Sequence, residues 1–250
     1  MSDERASLPY GSWQSPITTE MIISESISLG DMAIDGENIY WLEMRPSEGG
    51  RCVIVKRTSN GSQSDVNPAP FNARTRVHEY GGGSYLIHNG VAFFSNYTDQ
   101  RVYRVDPNGL DPIAITPNGF DHRYADYTLD IYNENLIAVR EDHTGPGEAS
   151  NTLVSINIHG IGKVKILISG ADFYSSPVLS PDGSLLAWVQ WNHPNMPWDS
   201  TELWVAEVES DGSLTAPMKV KGREGESICQ PVWSPEGILH FVSDESGWWN

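Results

Sequence analysis

With 250 residues, 39% of them hydrophobic and 10% aromatic, the chain can build the core of one large all-β domain or of two smaller ones. Sixteen basic residues against 33 acidic ones leave a formal charge of -17, so phosphate backbones and anionic lipid would repel it; neither nucleic acid nor a membrane surface is an expected partner. No apolar run reaches membrane-spanning length, and Met1-Ser2-Asp3-Glu4-Arg5 lacks the apolar core of a secretion signal, so a cytoplasmic, reducing location is the expectation.

In chain order, tight-turn signals fall at Asp35-Gly36, Asn89-Gly90, Asn133-Glu134-Asn135, Asp182-Gly183 and Glu236-Gly237. The intervals between them are about 45 to 54 residues, the period of propeller blades. Each turn joins two short apolar segments, such as Leu29 to Ile34 with Ile39 to Met44, or Tyr85 to His88 with Val91 to Ser95. An Asp-Gly pair between apolar runs predicts a hairpin, because a type I′ turn needs positive φ at both corner positions. Repeats four and five match most closely: Ser176 to Ser180 and Gln230 to Ser234 each run into a Ser-Pro-Asp/Glu-Gly corner.

A third and a fourth strand are predicted after the hairpins, at Thr152 to Ile158 and Lys163 to Ile168 in repeat three, and at Glu202 to Glu207 and Ala216 to Val220 in repeat four. Leu203 and Val205 alternate with Trp204 and Ala206 at the period of a strand, and no stretch sustains a helical period with caps. Trp41, Trp188, Trp204 and Trp233 fall within strands and read as blade packing. The fold expected is all-β: a β-propeller of four-stranded antiparallel blades, TolB- or WD40-like, with about four and a half blades in an incomplete ring. The blades are placed at approximately 20-70, 74-118, 124-169 and 172-222, with a partial one at 226-250. The repeat that breaks off at Gly247-Trp248-Trp249-Asn250 suggests a longer natural polypeptide, and uncovered blade faces are expected to invite aggregation. Cys52 and Cys229 lie in apolar stretches far apart and read as buried free thiols, with no second cysteine near enough for a metal pair.

Several segments resemble the prolyl oligopeptidase family of serine peptidases, in the branch of acylaminoacyl-peptidase and dipeptidyl-aminopeptidase-like enzymes, and within it the bacterial aminopeptidases. They include Pro9 to Ile17, Arg74 to Gly83 with its His-Glu-Tyr-Gly-Gly-Gly core, Arg123-Tyr124-Ala125-Asp126, Val139 to His143, Gly170 to Pro177, His193 to Asp199 and Phe241 to Asn250. The resemblance implies a propeller that caps the active site of a C-terminal α/β-hydrolase domain and limits which short peptides or aminoacyl amides reach it. That domain would be this chain's partner within one polypeptide. It would carry a Ser-Asp-His triad with its serine in a Gly-x-Ser-x-Gly elbow. This sequence contains no such elbow: Gly83-Ser84-Tyr85-Leu86 and Gly225-Glu226-Ser227-Ile228 both lack the second glycine. By itself the chain is therefore expected not to hydrolyse peptides. A stand-alone TolB-like propeller that binds proteins is the second reading. A metal-dependent lactonase is a third, and it requires a set of inward carboxylates that cannot be assigned.

No catalytic residue, metal ligand or cofactor is assigned, and the substrate-facing candidates come from three segments. In His78-Glu79-Tyr80-Gly81-Gly82-Gly83 the glycines allow close backbone approach, and Glu79 could hold a peptide's α-amino group through a charge-assisted hydrogen bond. The structural alternative is a tight approach to an inner strand, with Glu79 bonded to nearby backbone. Arg140, Glu141 and His143 belong to a charged cluster at a strand end, where a salt-bridge cluster within one blade is the alternative. Trp198 and Asp199 lie in a long loop, 191-199, that either forms a contact pad for a domain or substrate or folds back over its own blade.

Overall fold

The computed structural model describes residues 9–23, 26–107, 111–119 and 121–250; Met1 to Arg5, read above for a secretion signal, lies outside them. The described residues form four antiparallel sheets of four strands and one of two. The first holds β1 (Ser28–Asp35), β2 (Asn38–Arg45), β3 (Arg51–Arg57) and β4 (Gln63–Asp65). The second holds β5 (Tyr85–His88), β6 (Val91–Ser95), β7 (Val102–Val105) and β8 (Ile113–Ala114). The third holds β9 (His122–Asp130), β10 (Asn135–Asp142), β11 (Ser150–Asn157) and β12 (Lys165–Ile168). The fourth holds β13 (Phe173–Leu179), β14 (Leu185–Trp191), β15 (Glu202–Val208) and β16 (Leu214–Lys221), and β17 (Ile228–Trp233) pairs with β18 (Leu239–Ser243). Helix among the described residues is confined to Thr19–Ile23 and a 3-10 turn at Pro46–Glu48.

This is the expected propeller arc of four and a half blades. The five turn signals all join the first and second strands of their sheets. At the fourth corner Asp182 Oδ1 accepts bonds from Ser180 Oγ at 2.6 Å and from the Ser184 amide at 3.0 Å. Those donors pull its carboxyl down to about 2. Ser180 Oγ in turn accepts the Leu185 amide, as Ser234 Oγ accepts that of Ile238 in the last hairpin.

Successive sheets are joined by apolar side chains alternating between two neighbours. Along β10, Leu136 and Ala138 pack toward Phe93, Val102 and Ile115 of the second sheet and its β8 flank. Ile137 and Val139 point the other way, to Tyr174, Leu186 and Trp188 of the fourth. A second strand covered on both faces reads as a continuous apolar run, which is how β6, β10 and β14 look in sequence. The arc is open, and its terminal sheets expose apolar side chains, Leu29, Met32 and Ile34 at one end and Val232 and Ile238 at the other.

The first strands lie side by side along the inside of the arc. Three of them carry a bulge at matching positions, with Asp126, Ser176 and Gln230 each at φ 53 and two residues opposing one across the pair. Asp126 uses its bulge to clasp three sheets: Oδ1 accepts the Gly83 amide at 2.6 Å and Oδ2 accepts the Ser176 amide at 2.9 Å. Because strands alternate in direction, the start of each first strand, the loop between strands two and three, and the end of each fourth strand share one end of the arc. The candidate site lies at that end. Cys52 is buried and Cys229 only partly so; both are free thiols, pushed up by burial and thus poor nucleophiles.

Candidate ligand-binding site

The connector 66–84, between β4 and β5, does more than join two blades. Buried Asn67 stands in for a strand neighbour, its Oδ1 accepting the Ile54 amide at 2.7 Å and its Nδ2 donating to Cys52 O at 3.1 Å. Ala73 then bridges to Asn96 of the second blade. Beyond it Val77, 1% exposed, enters the apolar cluster between the third and fourth sheets. His78 and Glu79 follow with φ of 56 and 62, a left-handed pair that turns the chain back toward β5. The connector is thus a strap from blades one and two to blades three and four.

Glu141, at the end of β10, anchors the strap. Its side chain is 6% exposed, and its Oε1 accepts the His78 amide at 2.6 Å. Its Oε2 lies 3.1 Å from His143 Nε2 and 3.6 Å from Arg123 Nη1. Arg123 donates to Arg76 O at 3.0 Å and to Glu79 Oε1 at 2.5 Å. The Arg123 guanidinium holds the Glu79 carboxyl below the usual carboxylate range, so it is ionised at neutral pH. Glu79 is 79% exposed and, among the described residues, its Oε2 takes part in no hydrogen bond, whereas both oxygens of Glu141 are engaged. Of the two carboxylates, Glu79 is therefore the one with an oxygen free to take a ligand.

Beside them opens a cavity of about 400 Å³ with an aromatic wall. Phe173 and Trp191 stack at 5.3 Å and 15°, and His78 meets both at 5.7 and 5.3 Å. His193 lies edge-on to Phe173 at 4.9 Å, with Nε2 2.8 Å from Glu148 Oε2. Met196 and Pro197 close one side. Among the described residues the lining supplies carboxylates, imidazoles and rings but no serine, threonine or cysteine. Such a site suits an ammonium group with an apolar side chain next to it. Among the described residues no group of three or more His, Cys, Asp or Glu is arranged to hold a metal ion.

Of the residues singled out from sequence, the structure brings His78, Glu79, Tyr80, Glu141 and His143 together around this cavity. Gly81 and Gly82 line a separate hollow toward β2 and β3, and a Cβ on Gly82 would come within 2.9 Å of Asp126 Oδ1. At Gly82 the space is taken by the Asp126 clasp, whereas a Cβ on Gly81 would meet only Thr75 O at 3.6 Å. Arg140 alternates to the opposite face of β10 from Glu141, with Nη2 3.4 Å from Asp142 Oδ2. Trp198 is 61% exposed outside the lining, and Asp199 Oδ2 accepts the Met196 amide, shaping its own loop. Trp191 and His193 belong to the loop 191–199 that the sequence offers as a contact pad, whereas nothing in the sequence marks Arg123 or Phe173 as part of the site. Phe173 and Trp191 are directly paired across β13 and β14 at the strand ends, a register that only the bulged pairing fixes.

No protein-family model and no curated protein matches the chain. Among solved structures, a puromycin-hydrolyzing peptidase of Mycobacterium tuberculosis superposes with a TM-score of 0.89 at 41% identity, over 98% of this chain and 40% of that one. The chain belongs to the prolyl oligopeptidase family. A puromycin hydrolase at 32% identity gives the same TM-score and the same coverage of both chains. This prolyl oligopeptidase-family propeller thus spans 40% of the length of those relatives. TolB from Acinetobacter baumannii, at 17% identity and a TM-score of 0.56 over 86% of this chain and 48% of that one, shares the fold alone. No helix among the described residues is long and apolar enough to cross a membrane.

Proposed function

We propose that this propeller admits and orients short peptides with a free amino end for a hydrolase domain of the same polypeptide. The observation that carries the reading is the cavity itself: an aromatic pocket lined by three carboxylates, of which Glu79 is held ionised by Arg123 and keeps an oxygen free, while Glu141 is engaged through both oxygens and Glu148 pairs with His193. Topology supports it. The chain comes to β1 and leaves each fourth strand at the end where the cavity opens, so a domain joined to the propeller through both would sit over that opening. Family membership supports it too, since the relatives matched are peptidases by description.

In this reading the substrate's ammonium meets Glu79, its first side chain lies against Phe173 and Trp191, and Glu141 positions the strap without touching the ligand. In the polypeptide that carries both domains, Glu79→Gln should raise KM for free-amino substrates about tenfold, the value of one charge-assisted bond, and leave N-blocked substrates nearly unchanged. An equal effect on both classes would remove Glu79 from recognition. The pH dependence has a defined sign. Because the carboxyl titrates below its usual range, recognition persists through pH 5 to 7 and falls above about pH 8, where the peptide's α-amino group loses its proton.

A further inference from the structure

Next to the cavity mouth the same strap presents a second charged feature. Arg74 and Arg76 are both exposed, and both guanidinium groups lie over the ring of Tyr97, at 5.1 and 4.4 Å from its centroid. Neither forms an ion pair among the described residues, although the chain holds 33 acidic residues against 16 basic ones. The nearby carboxylates are engaged elsewhere. Asp99 accepts from Asn96 Nδ2 and from the Tyr103 hydroxyl, and Glu79, which feels the charge of Arg76, is bonded through Oε1 to Arg123 and not to either arginine of the pair.

The scaffold under the two arginines is fixed. The Arg74 amide donates to Ser95 O at 3.0 Å, and the Arg76 amide donates to Oε1 of Gln100, which is 4% exposed. Gln100 Nε2 donates in turn to Tyr97 O at 2.8 Å, and the Tyr97 amide donates to Asn72 O at 2.8 Å. Thr75, between the arginines, is 3% exposed, so alternation projects Arg74 and Arg76 on the same side. Two like charges on one ring repel each other until an anion lies between them. Guanidinium planes on an aromatic face also keep their N–H edges free for a planar oxyanion. Arg76 O is bonded to Arg123, the partner of Glu79, which sets Arg76 beside the cavity, while Arg74 lines the adjoining hollow together with Tyr80, Gly81 and Gly82.

We propose that Arg74 and Arg76, set on Tyr97, form a carboxylate-binding clamp that takes the C-terminal carboxylate of a short peptide lying across the cavity mouth. The assignment of a peptide rests on the function proposed above; the anion chemistry does not. With an ammonium acceptor at Glu79 and an oxyanion clamp at Arg74 and Arg76, the rim selects peptides short enough for both ends to be held at once.

The test is calorimetric titration of the 250-residue chain with alanine-based peptides of two to five residues, each as free acid, C-terminal amide and N-acetylated free acid. The free acid should bind about tenfold more tightly than the amide at the best length, and the preference should fall to within about twofold in the Arg74→Gln/Arg76→Gln double variant. The preference should also weaken as salt rises. Equal affinity of acid and amide, survival of the preference in the double variant, or no binding of any peptide would overturn the clamp. If N-acetylation costs nothing while the acid preference and its arginine dependence persist, the clamp stands and recognition of the amino end fails.

Discussion

Trp188→Ala should destabilise the folded chain by about 3–5 kcal/mol, the usual cost of emptying a fully buried aromatic site. Trp188 is 1% exposed in the middle of β14 and belongs to the cluster joining the third and fourth sheets. Across the strand pair it meets Trp204, ring centroids 6.3 Å apart at 18°, and its Nε1 donates to Gln190 Oε1 at 2.9 Å. Truncation opens a void that the β-sheet backbone on either side cannot close, because both faces of β14 are already packed. Urea unfolding followed by far-ultraviolet circular dichroism measures the loss. Trp188→Phe should recover more than half of it, and a loss below about 1 kcal/mol for the alanine variant would contradict this account of the interface.

Glu141→Ala carries the second large effect, about 2–4 kcal/mol of stability together with loss of the cavity's shape. The substitution leaves the His78 amide without its acceptor and the Arg123 and His143 side chains without the buried carboxylate between them. The left-handed pair at His78 and Glu79 then loses the contact that holds it against the third blade. Glu141→Gln keeps an oxygen for the His78 amide but gives up the charge and the Oε2 acceptor beside His143 and Arg123, so it should fall between wild type and alanine. Unfolding curves of the three proteins, read beside their affinity for a free-amino peptide, separate the two contributions. A fully stable alanine variant with intact affinity would show that Glu141 does not anchor the strap.

Much of the fold is legible in the sequence because its signals are local. An Asp-Gly or Asn-Gly corner between apolar runs specifies a hairpin within about ten residues, and a second strand covered on both faces announces itself as an unbroken apolar stretch. The outermost strands are less legible. β4 and β8 are only three and two residues long, and nothing in Gln63–Asp65 distinguishes a short edge strand from a loop. The site is legible in part. His78 to Tyr80 and Glu141 to His143 each stand out as charged or glycine-bordered segments, yet their meeting depends on a connector that reaches from the first two blades to the third and fourth, with partners 63 residues apart.

Alternation also misleads where both neighbours carry charge. Arg140 and Glu141 are adjacent and look like one cluster, but β10 sends them to opposite faces. In the loop 191–199 the conspicuous Trp198 stays exposed, while the less conspicuous His193, Met196 and Pro197 line the cavity. Gly82 and Gly83 likewise meet a steric need at Asp126, visible only once β9 lies beside the strap.

The central claim, that the cavity takes the free amino end of a peptide at Glu79, is tested most directly by equilibrium binding to the chain itself. Two copies of one short peptide with an aromatic first residue, one free and one N-acetylated, are titrated at pH 7 and followed by tryptophan fluorescence, with Trp191 in the wall as reporter. The account predicts at least about tenfold tighter binding of the free peptide, and loss of that difference in Glu79→Gln. Equal affinity of the two peptides for the unaltered chain would contradict it.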